Sequence, residues 1–100
     1  MKPNIEIPKK QIDEFCRKWL IEELSIFGSA LREDFRPDSD VDVLVVFSKD
    51  AKWTLFDVIN AEHELEQIIG RKVDLVEKKA LRNPFRRHHI LTNREVFYAA

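Results

Sequence analysis

A chain of 100 residues, 44% of them hydrophobic and 35% charged, with a formal net charge of −1, has the composition of one small folded domain and not of a disordered tail. Lys and Arg (17) nearly balance Asp and Glu (18), which argues against binding nucleic acid through overall charge. No apolar run approaches the length of a membrane span, Met1-Lys2-Pro3-Asn4 does not lead into a signal peptide, and a lone Cys16 excludes an internal disulfide, so the cytoplasm is the expected compartment.

Pro8 opens an amphipathic helix in which Ile12, Phe15, Cys16 and Trp19 recur at helical spacing, while Lys9, Lys10, Asp13, Glu14, Arg17 and Lys18 take the other face. In that company Cys16 reads as a buried thiol and not as a nucleophile. Residues 24–27 are a short apolar strand, broken by Gly28-Ser29, and 30–34 a short helix. Arg36-Pro37-Asp38-Ser39 is a turn by composition, since Pro fixes φ and Asp and Ser bond back to the local backbone. Val41–Phe47 is a near-continuous apolar run of the kind buried on both faces, and is expected as the central strand.

A second long helix is expected over 53–69, with Leu55, Val58, Ile59, Leu65, Ile68 and Ile69 as its apolar stripe and Gly70 as its stop. His63 falls off that stripe and reads as a solvated side chain. Trp53 and Phe56 are candidate anchors for a partner, with a core position the competing reading and the preferred one for Phe56, and an exposed position expected for Trp53 at the helix start. Residues 72–77 form a third strand, in which Val73 and Leu75 point one way and Asp74 and Val76 the other. A short helix over 83–90 and an extended piece over 95–98 complete the chain; Arg82, Arg86, Arg87, His88 and His89 make a local basic patch there. The expected fold is α+β: one domain over residues 1–100, a small mixed β-sheet with helices in α-β-α-β-α-β order.

Three features of this pattern carry chemistry: Gly28-Ser29 at the end of one strand, Asp40-Val41-Asp42 at the start of the next, and Asp74 within the third. Residues two apart on a strand share a face at roughly 7 Å, so Asp40 and Asp42 can converge on hard cations. Magnesium takes such oxygen ligands and completes its shell with water and substrate phosphates. Gly28 lets backbone N–H groups approach a phosphate, and Ser29 adds a hydroxyl donor. Asp74 would be a third ligand and help take the proton of an attacking hydroxyl, with two ions about 3.5–4 Å apart clamping the attacking and leaving oxygens. Each feature has a plainer reading by itself: a turn residue at a strand entrance, an outward strand position, or, for Arg32 and Arg36, pairing with Glu33, Asp34 or Asp38. The combination describes a site.

Gly28-Ser29, ten residues, then Asp40-Val41-Asp42 resembles the signature of the DNA-polymerase-β-like nucleotidyltransferases, and Asp74 completes their acidic triad. From residue 24 to the C-terminus, Arg32 and the Arg36-Pro37-Asp38-Ser39 lead-in included, the chain is similar to the minimal nucleotidyltransferases of bacteria and archaea. The resemblance implies a nucleotidyltransferase fold in which Gly28 and Ser29, with Arg32 beside them, hold the triphosphate of ATP, and in which Asp40, Asp42 and Asp74 are catalytic and bind two magnesium ions. Glu33 departs from the small residue that the family often has after the matching Arg. The resemblance also implies an antitoxin that adds AMP to a tyrosine of a HEPN-type toxin encoded nearby. A non-catalytic binding antitoxin, and a transferase acting on RNA or a small molecule, are the competing expectations. The sequence does not set the oligomeric state, a homo-oligomer included.

Overall fold

In the computed structural model, which describes residues 7–28 and 40–100, helix α1 (Lys9–Lys18) starts after Pro8 and turns Ile12, Phe15 and Cys16 inward. Arg17 and Lys18 stand in its last turn, where a cation meets the negative end of the helix dipole. Leu20 follows with a φ of 54°, a left-handed conformation uncommon for any residue but Gly, and delivers the chain straight into strand β1 (Ile21–Phe27). β1 therefore begins earlier than residue 24, where its apolar pattern starts. Strand β2 (Val41–Phe47) coincides with the expected one.

Helix α2 (Leu55–Ile69) begins after a capping box in which Thr54 and Asp57 satisfy each other's backbone N–H, and it ends at Gly70 in the left-handed conformation. Strand β3 (Val73–Glu77) leads through a 3₁₀ turn (Lys78–Ala80) to helix α3 (Pro84–Thr92), whose first amides, of Phe85 and Arg86, donate to Asn83 Oδ1. The C-terminal extended piece is a full strand, β4 (Arg94–Ala99). The helix expected over 30–34 and the turn Arg36-Pro37-Asp38-Ser39 lie outside the described residues.

The strands form one mixed sheet in the order β3-β2-β1-β4. β1 runs antiparallel to β2 and β4, and β2 runs parallel to β3, the connection that needs a crossover helix and obtains it in α2. The α+β mixed-sheet architecture is as expected, with β2 an interior strand. One face of the sheet carries the larger core: Ile12, Phe15 and Cys16 of α1 and Ala61 and Leu65 of α2 close over Leu24, Ile26, Val41, Val43, Val45 and Val73. A smaller cluster, Phe27, Leu44, Leu81 and Ile90, buries part of the opposite face, with Val76 against it. Among the described residues no helix is long and apolar enough to cross a membrane.

Two expectations about α2 are corrected. Its inward face is carried by Ala61 and Leu65, with Ile68 and Ile69 packed against the same core as expected, whereas Leu55 and Ile59 of the expected stripe are 73% and 41% exposed. Ala61 contributes little to an apolar pattern, but its small side chain is what lets the helix approach the sheet. Phe56 is 77% exposed instead of core. Trp53 is half-buried and internally engaged: its Nε1 donates to Trp19 O at 2.7 Å and its ring meets the Trp19 ring edge-on at 5.1 Å. Burial, with the nearby charge of Asp13, pushes the Cys16 thiol up to about 12, so it remains an unreactive thiol in the folded chain.

Glu64 ties the two core helices together, accepting from Lys18 Nζ at 2.5 Å and from Trp19 Nε1 at 2.8 Å. Burial raises its carboxyl, but the bonds from Lys18 and Trp19 outweigh that and hold it below the ordinary carboxylate value. A folded-state value below the unfolded one gives stability that is present above the unfolded pKa and lost as the pH falls through the folded one. Glu64→Gln should accordingly be less stable than the wild type near neutral pH, and the gap should close on acidification to about pH 3. Urea unfolding at both pH values measures it.

Candidate active site

The three carboxylates are gathered by strand pairing. Val41 pairs with Val73, Asp42 with Asp74 and Val43 with Leu75, so the two acids are direct cross-strand neighbours about 4.8 Å apart at Cα. Asp40 stands immediately before β2, on the same side of the pleat as Asp42. Asp40 and Asp74 are exposed and Asp42 is half-buried. All three share the face of the smaller core cluster, at the end of the sheet where β2 and β3 begin and β1 ends.

β1 brings Gly28 to the same place, because Phe27 pairs with Asp42 across the antiparallel ladder. Gly28 has a φ of 72°, and a Cβ built on it would lie 2.3 Å from Asp42 Oδ2. The left-handed backbone is what requires glycine, and a side chain there would have to push the Asp42 carboxylate aside. Ser29 and Arg32, expected beside Gly28 on the triphosphate, lie outside the described residues.

Among the described residues no group of three or more His, Cys, Asp or Glu side chains stands where it could hold a metal ion together, so Asp40, Asp42 and Asp74 do not form a ready-made three-carboxylate site. The donor set still fits magnesium, which is held by one or two carboxylates and takes its remaining ligands from water and phosphate oxygens. The opposite end of β2 and β3 has a different character: a cavity of about 640 Å³ is walled by Lys49, Lys78, Lys79, Arg87 and Trp53, remote from the carboxylates. Of the C-terminal basic patch, Arg82, Arg86, His88 and His89 are exposed, and Arg87 turns toward that cavity, its Nη1 donating to Lys78 O at 3.3 Å.

Two residues that the sequence reading passed over touch β3. Glu66 Oε2 accepts from the backbone N–H of Val73 at 3.0 Å, and Glu62 Oε2 from that of Leu75 at 2.9 Å. Their signal was a pair of acids one helical turn apart on the helix that precedes the strand, hidden among the other charges of α2. His63 is largely exposed, as expected, with its Nδ1 3.3 Å from Glu66 Oε1.

The sequence model of the nucleotidyltransferase domain matches residues 8–97. The chain is 37% identical over 75 residues to the protein adenylyltransferase MntA of Thermococcus cleftensis, a match that covers 75% of this chain and 71% of that one. A solved structure described as a candidate minimal nucleotidyltransferase matches with a TM-score of 0.71 at 30% identity, over 86% of this chain and 85% of that one. A chain from the complex of a tri-AMPylated HEPN toxin of Shewanella oneidensis with an MNT antitoxin matches with a TM-score of 0.65 over 92% of this chain and 70% of that one; at 15% identity it shows a shared fold.

The contact between Gly28 and Asp42 can be tested by stability alone. Gly28→Ala should cost about 1–2 kcal/mol for the left-handed backbone, and a further amount for the clash with Asp42. In an Asp42→Ala background the clash is gone and only the backbone cost should remain. In urea unfolding of the four proteins the double variant should lose less stability than the two single variants together; additive losses would mean that the Asp42 carboxylate swings clear of the added methyl without cost.

Proposed function

The chain belongs to the nucleotidyltransferase-domain family and is an enzyme that transfers nucleotides; from that footing we propose that it moves AMP from ATP, with magnesium, onto a tyrosine hydroxyl of a HEPN-type toxin and so acts as its antitoxin. The observation that carries the chemistry is the register that sets Asp42 beside Asp74, with Asp40 on the same face. The names of the related adenylyltransferase and of the toxin complex support the choice of AMP and of a HEPN-type partner.

Asp40, Asp42 and Asp74 are the residues that would hold magnesium beside the triphosphate. When bound, magnesium would neutralise phosphate charge and make the acceptor hydroxyl easier to ionise. Asp74, exposed on an edge strand, faces the acceptor and receives its proton. Gly28 lets backbone N–H groups reach a phosphate, and Ser29 and Arg32 add hydroxyl and guanidinium donors from the adjoining segment. The acceptor oxygen bonds to the α-phosphorus as the bond to the β-phosphate oxygen breaks, and pyrophosphate leaves.

Co-expression with the product of the adjacent reading frame, followed by mass spectrometry, should find adenylyl groups on tyrosine. Asp42→Asn should slow the transfer about a thousandfold, about 4 kcal/mol of transition-state stabilisation, without unfolding the protein. A partner silenced without modification would point to an antitoxin that acts by binding alone, and no complex at all to an RNA or small-molecule acceptor. Wild-type turnover by Asp42→Asn would sink the carboxylate assignment.

A further inference from the structure

Among the described residues β3, which carries Asp74, is an edge strand, with β2 as its only neighbour in the sheet. Val41 N donates to Lys72 O at 2.9 Å, so alternation along a parallel ladder turns the amide of Asp74 toward β2 and those of Val73 and Leu75 to the outer edge. An outer edge ordinarily gives its N–H groups to water and frays. Here both are taken by carboxylates of α2, Val73 by Glu66 and Leu75 by Glu62, and both glutamates are half-buried. Bonds to a charged acceptor are about twice as strong as those between neutral groups. The two clamped amides flank Asp74 on either side.

We propose that Glu62 and Glu66 are positioning residues: by gripping the backbone on both sides of Asp74 they hold its carboxylate level with that of Asp42, where the metal and the acceptor are engaged. The inference rests on the reading of Asp74 as part of the metal-binding set. A clamp that served only to cover the sheet edge would affect stability and amide exchange but not the metal.

The test compares Glu62→Ala and Glu66→Ala with Glu62→Gln and Glu66→Gln, whose amide oxygen can still accept. Ile12→Val, in the α1 core, serves as a destabilised control. Amide exchange by NMR reads the clamp, and the magnesium dependence of nucleotide transfer reads the position of Asp74. Each Ala variant should speed exchange of its own partner amide, Leu75 or Val73, about tenfold. It should also raise the magnesium concentration for half-maximal transfer by about tenfold, the scale of lost outer-shell support, while the KM for the triphosphate at saturating magnesium stays constant. The Gln variants should recover most of both effects, and Ile12→Val should show neither. Faster exchange with unchanged magnesium dependence would overturn the proposal, as would the same magnesium shift in Ile12→Val. Wild-type behaviour of Asp74→Asn would overturn the metal reading of Asp74, and the proposal with it.

Discussion

The parallel register of β2 and β3 is the constraint on which the site depends. Side chains alternate along a strand, so the pairing of Val41 with Val73 and of Val43 with Leu75 sends those four residues toward the α1–α2 core. The same register leaves Asp42 and Asp74 side by side on the other face. A slip of one residue in β3 would carry Asp74 into the apolar core, where an uncompensated carboxylate costs several kcal/mol. The acids are held together by the burial of the valines between them, and no attraction of their own is needed. Val-Asp-Val and Val-Asp-Leu encode fold and site in a single pleat.

The antiparallel partner adds the third side. β1 ends where β2 begins, and the pairing of Phe27 with Asp42 sets the next residue, the left-handed Gly28, against the Asp42 carboxylate. The end of β1 and the carboxylates at the start of β2 and β3 thus meet at one end of the sheet, and the proposed nucleotide site draws on that juxtaposition.

Much of this was legible in the sequence because it rests on local patterns. The apolar run of β2, the 3.6-residue period of α1 and the glycine stop of α2 are one-dimensional signals; Gly28, Asp40 and Asp42 were singled out by their places at strand ends, and Asp74 as an acid within an apolar strand. What escaped needed the third dimension. The early start of β1 depends on a left-handed Leu20, a conformation that its residue type does not announce. The inward face of α2 turns on Ala61, which no apolar stripe emphasises, and Phe56 is exposed although its residue type suggests a core position. Glu62 and Glu66 look like ordinary helix charges until β3 is seen beside them.

The polarity of β2 also separates chemistry from the exposed apolar surface. From Asp42 to Phe47 the strand rises about 17 Å, and α2 starts beyond that far end, where Trp53 is fastened to Trp19 and walls the basic cavity. Leu55 and Phe56 therefore lie well away from the carboxylates, while the last turns of α2 come back to them and Glu66 reaches Val73. A small acceptor held at Asp74 would not touch Leu55 or Phe56. A protein acceptor anchored on them would have to extend along the sheet to present its hydroxyl. Within this chain the exposed apolar start of α2 and the carboxylates at the start of β3 are thus separated by the length of one helix.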